Sequence, residues 1–250
     1  MIFDTIIKQA KFTSKQYNLK LVEYCVGNLF THTVIEYNNK KYMGLTLTPK
    51  DEGEVYLTEY TSLEDIFEKS KYYDISKRAV ALSAVNAVGQ FLLDMEKIEL
   101  KDNLRTLLSE FINSHSSKDD KIVFIGNLSP VVLKLKQSGK DIDVFCRQTN
   151  DKYLGVYNDI YEYEGVSKAD IVVITGASLI GSTIDALLRF THKAKIVLLA
   201  GFSAGGYYKW YENMGITHIA SVTTSGFVVN KNTVLEDIFD QQCYLKEIGN

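Results

Sequence analysis

Three short runs of small and hydroxylated residues, each set directly after an apolar run, are the stretches of this sequence best suited to chemistry. They are Gly126-Asn127, Thr175-Gly176-Ala177-Ser178 and Gly201-Phe202-Ser203-Ala204-Gly205-Gly206. Such residues leave backbone N–H groups uncovered, and where a strand passes into a helix those groups hold anions. The hydroxyls of Thr175, Ser178 and Ser203 add uncharged donors, and Ser182-Thr183 opens the helical stretch that follows the second run. The chemistry implied is recognition of a small anionic group. One turn of this kind says little, because any strand-to-helix connection favours Gly and Ser. Three on one edge of a sheet point to a ligand. The plainer alternative is that the glycines close tight turns and that Ser182 caps a helix, with Asp185 three residues on.

Other chemistries find less support. The first turn lacks Gly-x-Gly-x-x-Gly, and about 20 residues later, where a ribose-binding carboxylate is expected, the chain has Cys146-Arg147. NAD is therefore not the default cofactor, and no other cofactor is assigned. His32, His115, His192 and His218 are scattered, with no Cys or second His at i+3 or i+4, so no metal-ligand set is assigned. No Gly-x-Ser-x-Gly elbow is present. No acid–base pair or nucleophile stands out, so neither a catalytic residue nor a reaction is assigned. Glu52 and Glu54, flanking Gly53 after the N-terminal strands, are placed to reach a cleft; an ordinary hydrated charged turn is the simpler expectation.

The elements that must position these residues fall into two halves. Apolar spacing predicts a helix over Ile2 to Tyr17, then strands over Leu19 to Tyr24, Thr31 to Tyr37 and Lys41 to Thr48, with a tight turn at Asn38-Asn39. Thr61-Ser62-x-Glu64-Asp65 has the form of a capping box. A long helix from Asp74 puts Ile75, Ala79, Leu82, Asn86, Gly89 and Leu93 on one face. Asn86 thus lies on an apolar stripe and must find a hydrogen-bond partner. Another helix buries Leu104, Leu107, Leu108, Phe111 and Ile112, and the polar run Asn113 to Asp120 marks a boundary. Beyond it strands and helices alternate. Strands are expected at Ile122–Ile125, Ile142–Cys146, Ile171–Ile174, Ile196–Ala200 and Ile216–Ser221. Helices are expected at Ser129–Ser138, Thr183–Thr191, Tyr207–Met214 and Thr233–Ile238. The β-branched run Ile171 to Ile174 is that of a strand covered on both faces. Residues 1–115 therefore read as a small α+β domain, and 116–250 as a doubly wound parallel α/β domain.

Composition agrees. In 250 residues with a net charge of −3 there is neither a basic stripe for nucleic acid nor an apolar run long enough to span a membrane. The cysteines Cys25, Cys146 and Cys243 are odd in number and dispersed, as in a reducing cytoplasm. The expected partner is a small molecule. The rival is a non-catalytic interaction or homo-oligomerisation module, with Tyr207, Tyr208, Trp210 and Tyr211 as its contact patch.

Four stretches carry a family resemblance: Gly44-Leu45-Thr46-Leu47 with Glu52-Gly53, Ala81-Leu82-Ser83-Ala84-Val85-Asn86-Ala87, Ala169-Asp170 through Asp185, and Gly201-Phe202-Ser203. Together they resemble a prokaryotic family labelled as putative heavy-metal-chelation proteins. That resemblance implies an enolase-N-terminal-like domain followed by a Rossmann-like domain, with a site between them where Asn86 faces the Thr175 turn. The chain departs from the family pattern at Gly181-Ser182-Thr183, which lacks an Asn, and at Gly201-Phe202-Ser203, where Gly-Pro-Ser is usual. The ligand implied is a metal chelate or similar anionic metabolite. The residues expected to hold it are Glu52, Asn86, Gly126, Asn127, Thr175, Gly176, Ser178, Ser182, Thr183, Gly201 and Ser203.

Overall fold

The computed structural model describes residues 1–49, 58–71, 74–147, 155–224 and 235–249. Its N-terminal part is a three-stranded antiparallel sheet of β1 (Lys20–Val26), β2 (Phe30–Tyr37) and β3 (Lys40–Leu47), with helices α1 (Ile2–Gln16), α2 (Leu63–Lys69) and α3 (Ile75–Glu96). Asn38 and Asn39 both adopt left-handed backbone, φ 49° and 63°, which lets two residues join β2 to β3. Ser62 caps α2 by accepting the Asp65 N–H at 3.1 Å, and Asp74 caps α3 by accepting that of Lys77 at 3.0 Å.

One face of α3 was expected to be apolar, but the helix is buried without a break from Ala79 to Phe91. The reason is in its composition. Ala, Ser, Val and Gly occur all round it, so elements can press on every side, as in a helix at the centre of a molecule.

The second sheet has eight strands: β4 (Lys101–Asp102), β5 (Lys121–Ile125), β6 (Asp141–Phe145), β7 (Val156–Tyr157), β8 (Ile171–Thr175), β9 (Ile196–Ala200), β10 (His218–Val222) and β11 (Gln242–Glu247). Its order is β4-β11-β10-β9-β8-β5-β6-β7. The six strands from β5 to β10 run parallel, while β11 pairs antiparallel with β10 and β4 antiparallel with β11. This is the doubly wound arrangement, with the direction of winding reversed between β5 and β8. Alternate residues divide between two cores: Val123, Val172, Ile174, Val197 and Leu199 face one, Ile122, Phe124, Ile171, Val173 and Leu198 the other. The mixed α/β class expected from the sequence is the one found.

Several local expectations are corrected. Residues 207–214 do not form an α-helix; Tyr208–Tyr211 is a single 3₁₀ turn, because four crowded aromatics cannot share one helical face. After α7 (Thr183–Leu187) the chain tightens to 3₁₀ over Leu188–Phe190. The strands β4, β7 and β11 and the helix α6 (Glu162–Lys168) were not anticipated, since the strands are short or polar and α6 carries five charges or hydroxyls in seven residues. Helix α4 (Leu104–His115) places Leu104, Leu108 and Ile112 against the larger sheet, and α5 (Ser129–Gln137) adds Val131, Val132 and Leu135 to the same core.

Candidate functional site

The point where the winding reverses is where open α/β sheets take ligands. Here Gly126, φ +93°, donates its N–H to Phe145 O at 2.8 Å, and a Cβ on it would meet Thr175 Cγ2 at 2.6 Å. The carboxyl ends of β5 and β8 are therefore in contact, and only glycine fits there. Asn127 follows, and its Oδ1 is buried with no hydrogen-bond partner among the described residues. Across the switch point, Ser178 donates its hydroxyl to Thr175 O at 2.8 Å. One strand on, Gly201 (φ +100°) donates its N–H to Ala220 O at 3.0 Å. Gly126, Asn127, Thr175, Gly176, Ser178 and Gly201 thus share one edge of the sheet.

Beside that edge the N-terminal part is bolted on. Asn86, buried on α3, donates through Nδ2 to Leu45 O at 2.7 Å and to Ser203 O at 3.1 Å, joining β3 to the turn after β9. Its Oδ1 has no partner among the described residues. Ser203 Oγ accepts the Leu47 N–H at 3.0 Å. Gln90, one turn further along α3, donates to Val222 O and accepts from the Thr224 N–H, both at 3.2 Å. The glycines make close backbone passage feasible. A Cβ on Gly44 would lie 2.1 Å from Ala87 N, one on Gly89 2.5 Å from Gly205 O, and one on Gly176 2.3 Å from Ala204 N. A bulky residue at Gly176 therefore disrupts packing first, and is a poor probe of binding alone.

Other predicted residues go elsewhere. Ser182 sits at φ 56° and makes no cap bond; its Oγ accepts from Arg78 Nη2 at 2.5 Å. Asp185 instead accepts the Ile2 N–H at 2.8 Å, capping α1 from a remote segment. A cap read from local spacing was thus recruited by tertiary contact. Thr183 donates to Ser178 O at 3.4 Å. Glu52, Gly53 and Glu54 lie outside the described residues. Trp210 and Tyr211 are buried, while Tyr207 and Tyr208 donate their hydroxyls to Glu96, so the expected aromatic patch is largely packing. A cavity of 290 Å³ lined by Met1, Asp185, Leu188 and Met214 lies away from the switch point.

The donor set for a metal can be tested directly. His32 is buried on β2, His115 ends α4, and His218 begins β10 beside Thr217. Burial lowers the pKa of His32 and of His218. Among the described residues no group of three or more His, Cys, Asp or Glu could hold a metal ion. These residues do not build a protein-ligated metal centre. Nor, among the described residues, is any helix long and apolar enough to cross a membrane.

One residue of the carboxyl edge escaped sequence reasoning. Glu162 opens α6 and is 8% exposed, yet no hydrogen bond or ion pair holds its carboxyl among the described residues. Burial, and then the charge of Asp159, push its pKa up to about 7, with Arg147 opposing. Arg147 Nε itself donates to Asp159 Oδ2 at 3.0 Å. Helix α6 lies against the end of β6, where a Cβ on Gly165 would be 2.2 Å from the Phe145 ring. Glu162 precedes Gly165 and the buried Val166 by three and four residues, on the same face and one turn nearer the edge. That spacing, a carboxylate on an apolar stripe, is the signal that could have found it.

Fold and site together define a two-part α/β protein: a Rossmann-like sheet with a small antiparallel unit fixed beside its carboxyl edge. More particularly, the chain belongs to the DUF364 family, described as "Putative heavy-metal chelation", whose model matches residues 110–240. An uncharacterized protein of Methanocaldococcus jannaschii is 32% identical over 231 residues, covering 88% of this chain and 86% of that one. Among solved structures, a DUF364 protein of unknown function from Pyrococcus horikoshii superposes with TM-score 0.81 at 23% identity, covering 99% of this chain and all of that one. A second DUF364 protein of unknown function, from Desulfitobacterium hafniense, gives TM-score 0.73 at 15% identity, with 98% and 97% covered. At these identities the two structures speak for the fold alone.

Proposed function

We propose that the protein binds a small anionic or metal-chelating metabolite at the carboxyl edge of the large sheet, between the Gly126-Asn127 and Thr175–Ser178 turns. The N-terminal unit, taken as residues 1–115, flanks that crevice through its three-stranded sheet and α1 to α3, with Asn86 and Ser203 fixing it in place, while β4 and α4 of the same stretch join the larger sheet. The observation that carries the proposal is the buried, unpartnered Asn127 Oδ1 at the reversal of strand order. A buried acceptor without a donor is costly, and a ligand donor offsets that cost. The family description favours a chelate. With no three-residue ligand group among the described residues, the metal arrives held by the ligand, not by a protein cage. Binding is proposed without a reaction, in a cytoplasmic setting.

A thermal-shift screen of small organic acids and chelators, each with and without zinc or nickel, tests this. Asn127→Ala and Ser178→Ala should abolish the shift given by a true ligand while leaving the unliganded melting temperature within a few degrees. A ligand whose shift survives both substitutions places the site elsewhere.

A further inference from the structure

We propose that Glu162 is a binding residue of this crevice that accepts a protonated amine, so that the ligand is an amino-carboxylate; this rests on the site proposed above. Three observations converge. Glu162 is more than nine-tenths buried and has no hydrogen-bond or ion-pair partner among the described residues. Asn127 Oδ1, at the carboxyl edge where β5 meets its neighbours, is a buried acceptor without a donor among the described residues. The charges facing Glu162 do not neutralise it: Asp159 adds a negative charge, and Arg147 from the end of β6 is engaged with Asp159 at 3.0 Å. Among the described residues that act on it, Glu162 and Asp159 carry two negative charges against the one positive charge of Arg147.

A carboxylate and an amide oxygen are both acceptors, so the group they recognise must donate and, to balance the charge, must be cationic. A metal ion held by the protein is disfavoured, because no three-ligand group exists among the described residues. An ammonium carries three donors on one compact charge, and both residues lie at the edge formed around Phe145, whose carbonyl accepts the Gly126 N–H and whose ring packs on Gly165. The opposite side of the crevice presents the neutral Thr175-Gly176-Ala177-Ser178 turn, suited to a carboxylate. A molecule with an amine and a carboxylate one or two carbons apart spans the two kinds of surface. It is also the smallest unit that chelates a metal through nitrogen and oxygen together, which agrees with the family description.

The role is functional rather than structural because no described residue hydrogen-bonds or ion-pairs with this carboxyl, and Arg147 only partly offsets its burial. Glu164, two residues on, shows the structural use of the same side chain: it is exposed and paired with Lys168 at 2.6 Å. Burying an unpaired carboxyl weakens the fold, and sites are where such weakness persists.

The experiment is calorimetric titration of the full chain with the common L-amino acids and iminodiacetate, each compared with its des-amino analogue (acetate for glycine, propionate for alanine, succinate for aspartate). Wild type, Glu162→Gln, Asn127→Ala and the control Glu164→Gln are compared, with circular dichroism confirming the fold. At least one amino compound should bind wild type at least a hundredfold tighter than its des-amino analogue. Glu162→Gln should weaken it at least tenfold, and Glu164→Gln should leave it unchanged. If Glu162→Gln fails to fold, the amine comparison on wild type decides alone. Equal binding of an amino compound and its analogue, binding unaffected by Glu162→Gln, or no binding by any amino compound overturns the amine assignment. An acid that binds wild type and Glu162→Gln alike, but not Asn127→Ala, overturns it while leaving the anion site intact. A silent titration together with a silent thermal-shift screen removes both.

Discussion

Two regions of the molecule use the same residue types to opposite ends. At the α3 junction, glycine and amide side chains bring backbones together: Gly44, Gly89 and Gly176 leave no room for a Cβ, and Asn86 and Gln90 hand their donors to three carbonyls of three different segments. At the switch point Gly126 also permits close approach, but Asn127 Oδ1 is left buried without a donor, and the largely buried Glu162 has no hydrogen-bond or ion-pair partner among the described residues. The first region is a joint whose amide donors all meet carbonyls, although Asn86 Oδ1 and Thr46 Oγ1 have no partner among the described residues. In the second, the buried Asn127 Oδ1 sits where no segment is being joined. Small-residue turns alone do not distinguish the two; what the polar donors beside them hold together does.

The contrast can be broken most sharply at the joint. Gly44→Ala puts a methyl 2.1 Å from both Ala87 N and Ser83 O. Backbone on both sides cannot yield as a side chain would, so the loss should be about 4 kcal/mol or more, read by denaturant unfolding. A loss below about 1 kcal/mol would mean that the joint is looser than described.

Asn86→Ala comes next. It strips the donor from Leu45 O and Ser203 O together, at about 1–3 kcal/mol for each group left unsatisfied, or about 3 to 4 kcal/mol in all. Asn86→Asp should be nearly as harmful, because a carboxylate offers those carbonyls no proton. Chemical denaturation of both variants checks this, and a neutral Asn86→Asp would break the account.

Glu162→Gln should act in the opposite direction. Its carboxyl is raised from an ordinary 4.5 to about 7, so the folded state disfavours the ionised form. The penalty is absent below pH 4.5, grows as pH rises, and is complete above about 7. The difference is worth about 3 kcal/mol. Since Gln is itself polar, the variant should gain about 2 kcal/mol at pH 8 and nothing at pH 4. Melting curves at the two pH values decide, and a variant less stable at pH 8 would show that Glu162 belongs to the joint after all.

The smallest effect is the null one expected for metal. His32 and His218 sit on different strands, and although Glu23 Oε1 lies 3.7 Å from His32 Nε2, no group of three metal-ligating side chains forms among the described residues. Replacing either with Ala should leave the metal content of tag-free, chelator-free protein unchanged. One metal per chain, lost with either histidine, would move the function from chelate binding to direct metal handling.

Much of the fold was legible because its signals are local. The β-branched runs, the Asn38-Asn39 turn, the Ser62 cap and the polarity of Asn113 to Asp120 each depend on neighbouring residues, so the α/β class and the order of most elements could be read from them. The site was legible only in part. Asn86 advertised itself as an amide on an apolar stripe, but its dual role in joining Leu45 to Ser203 belongs to residues 41 and 117 positions away. Ser182 and Asp185 matched a capping box by spacing, yet Arg78 and the start of α1 took them instead. Glu162 went unread because α6 is short and polar, and its burial comes from the larger sheet rather than from its own helix.

What the sequence determined by itself was periodicity and turn chemistry, which are set within a few residues by backbone sterics and by the burial of apolar side chains. What only the tertiary structure decided was which polar groups meet. Hydrogen bonds and desolvation act over about 3 Å of space with no regard for distance along the chain. Whether a Gly, an Asn or a Glu meets a partner or is left without one was therefore decided only when the two sheets came together.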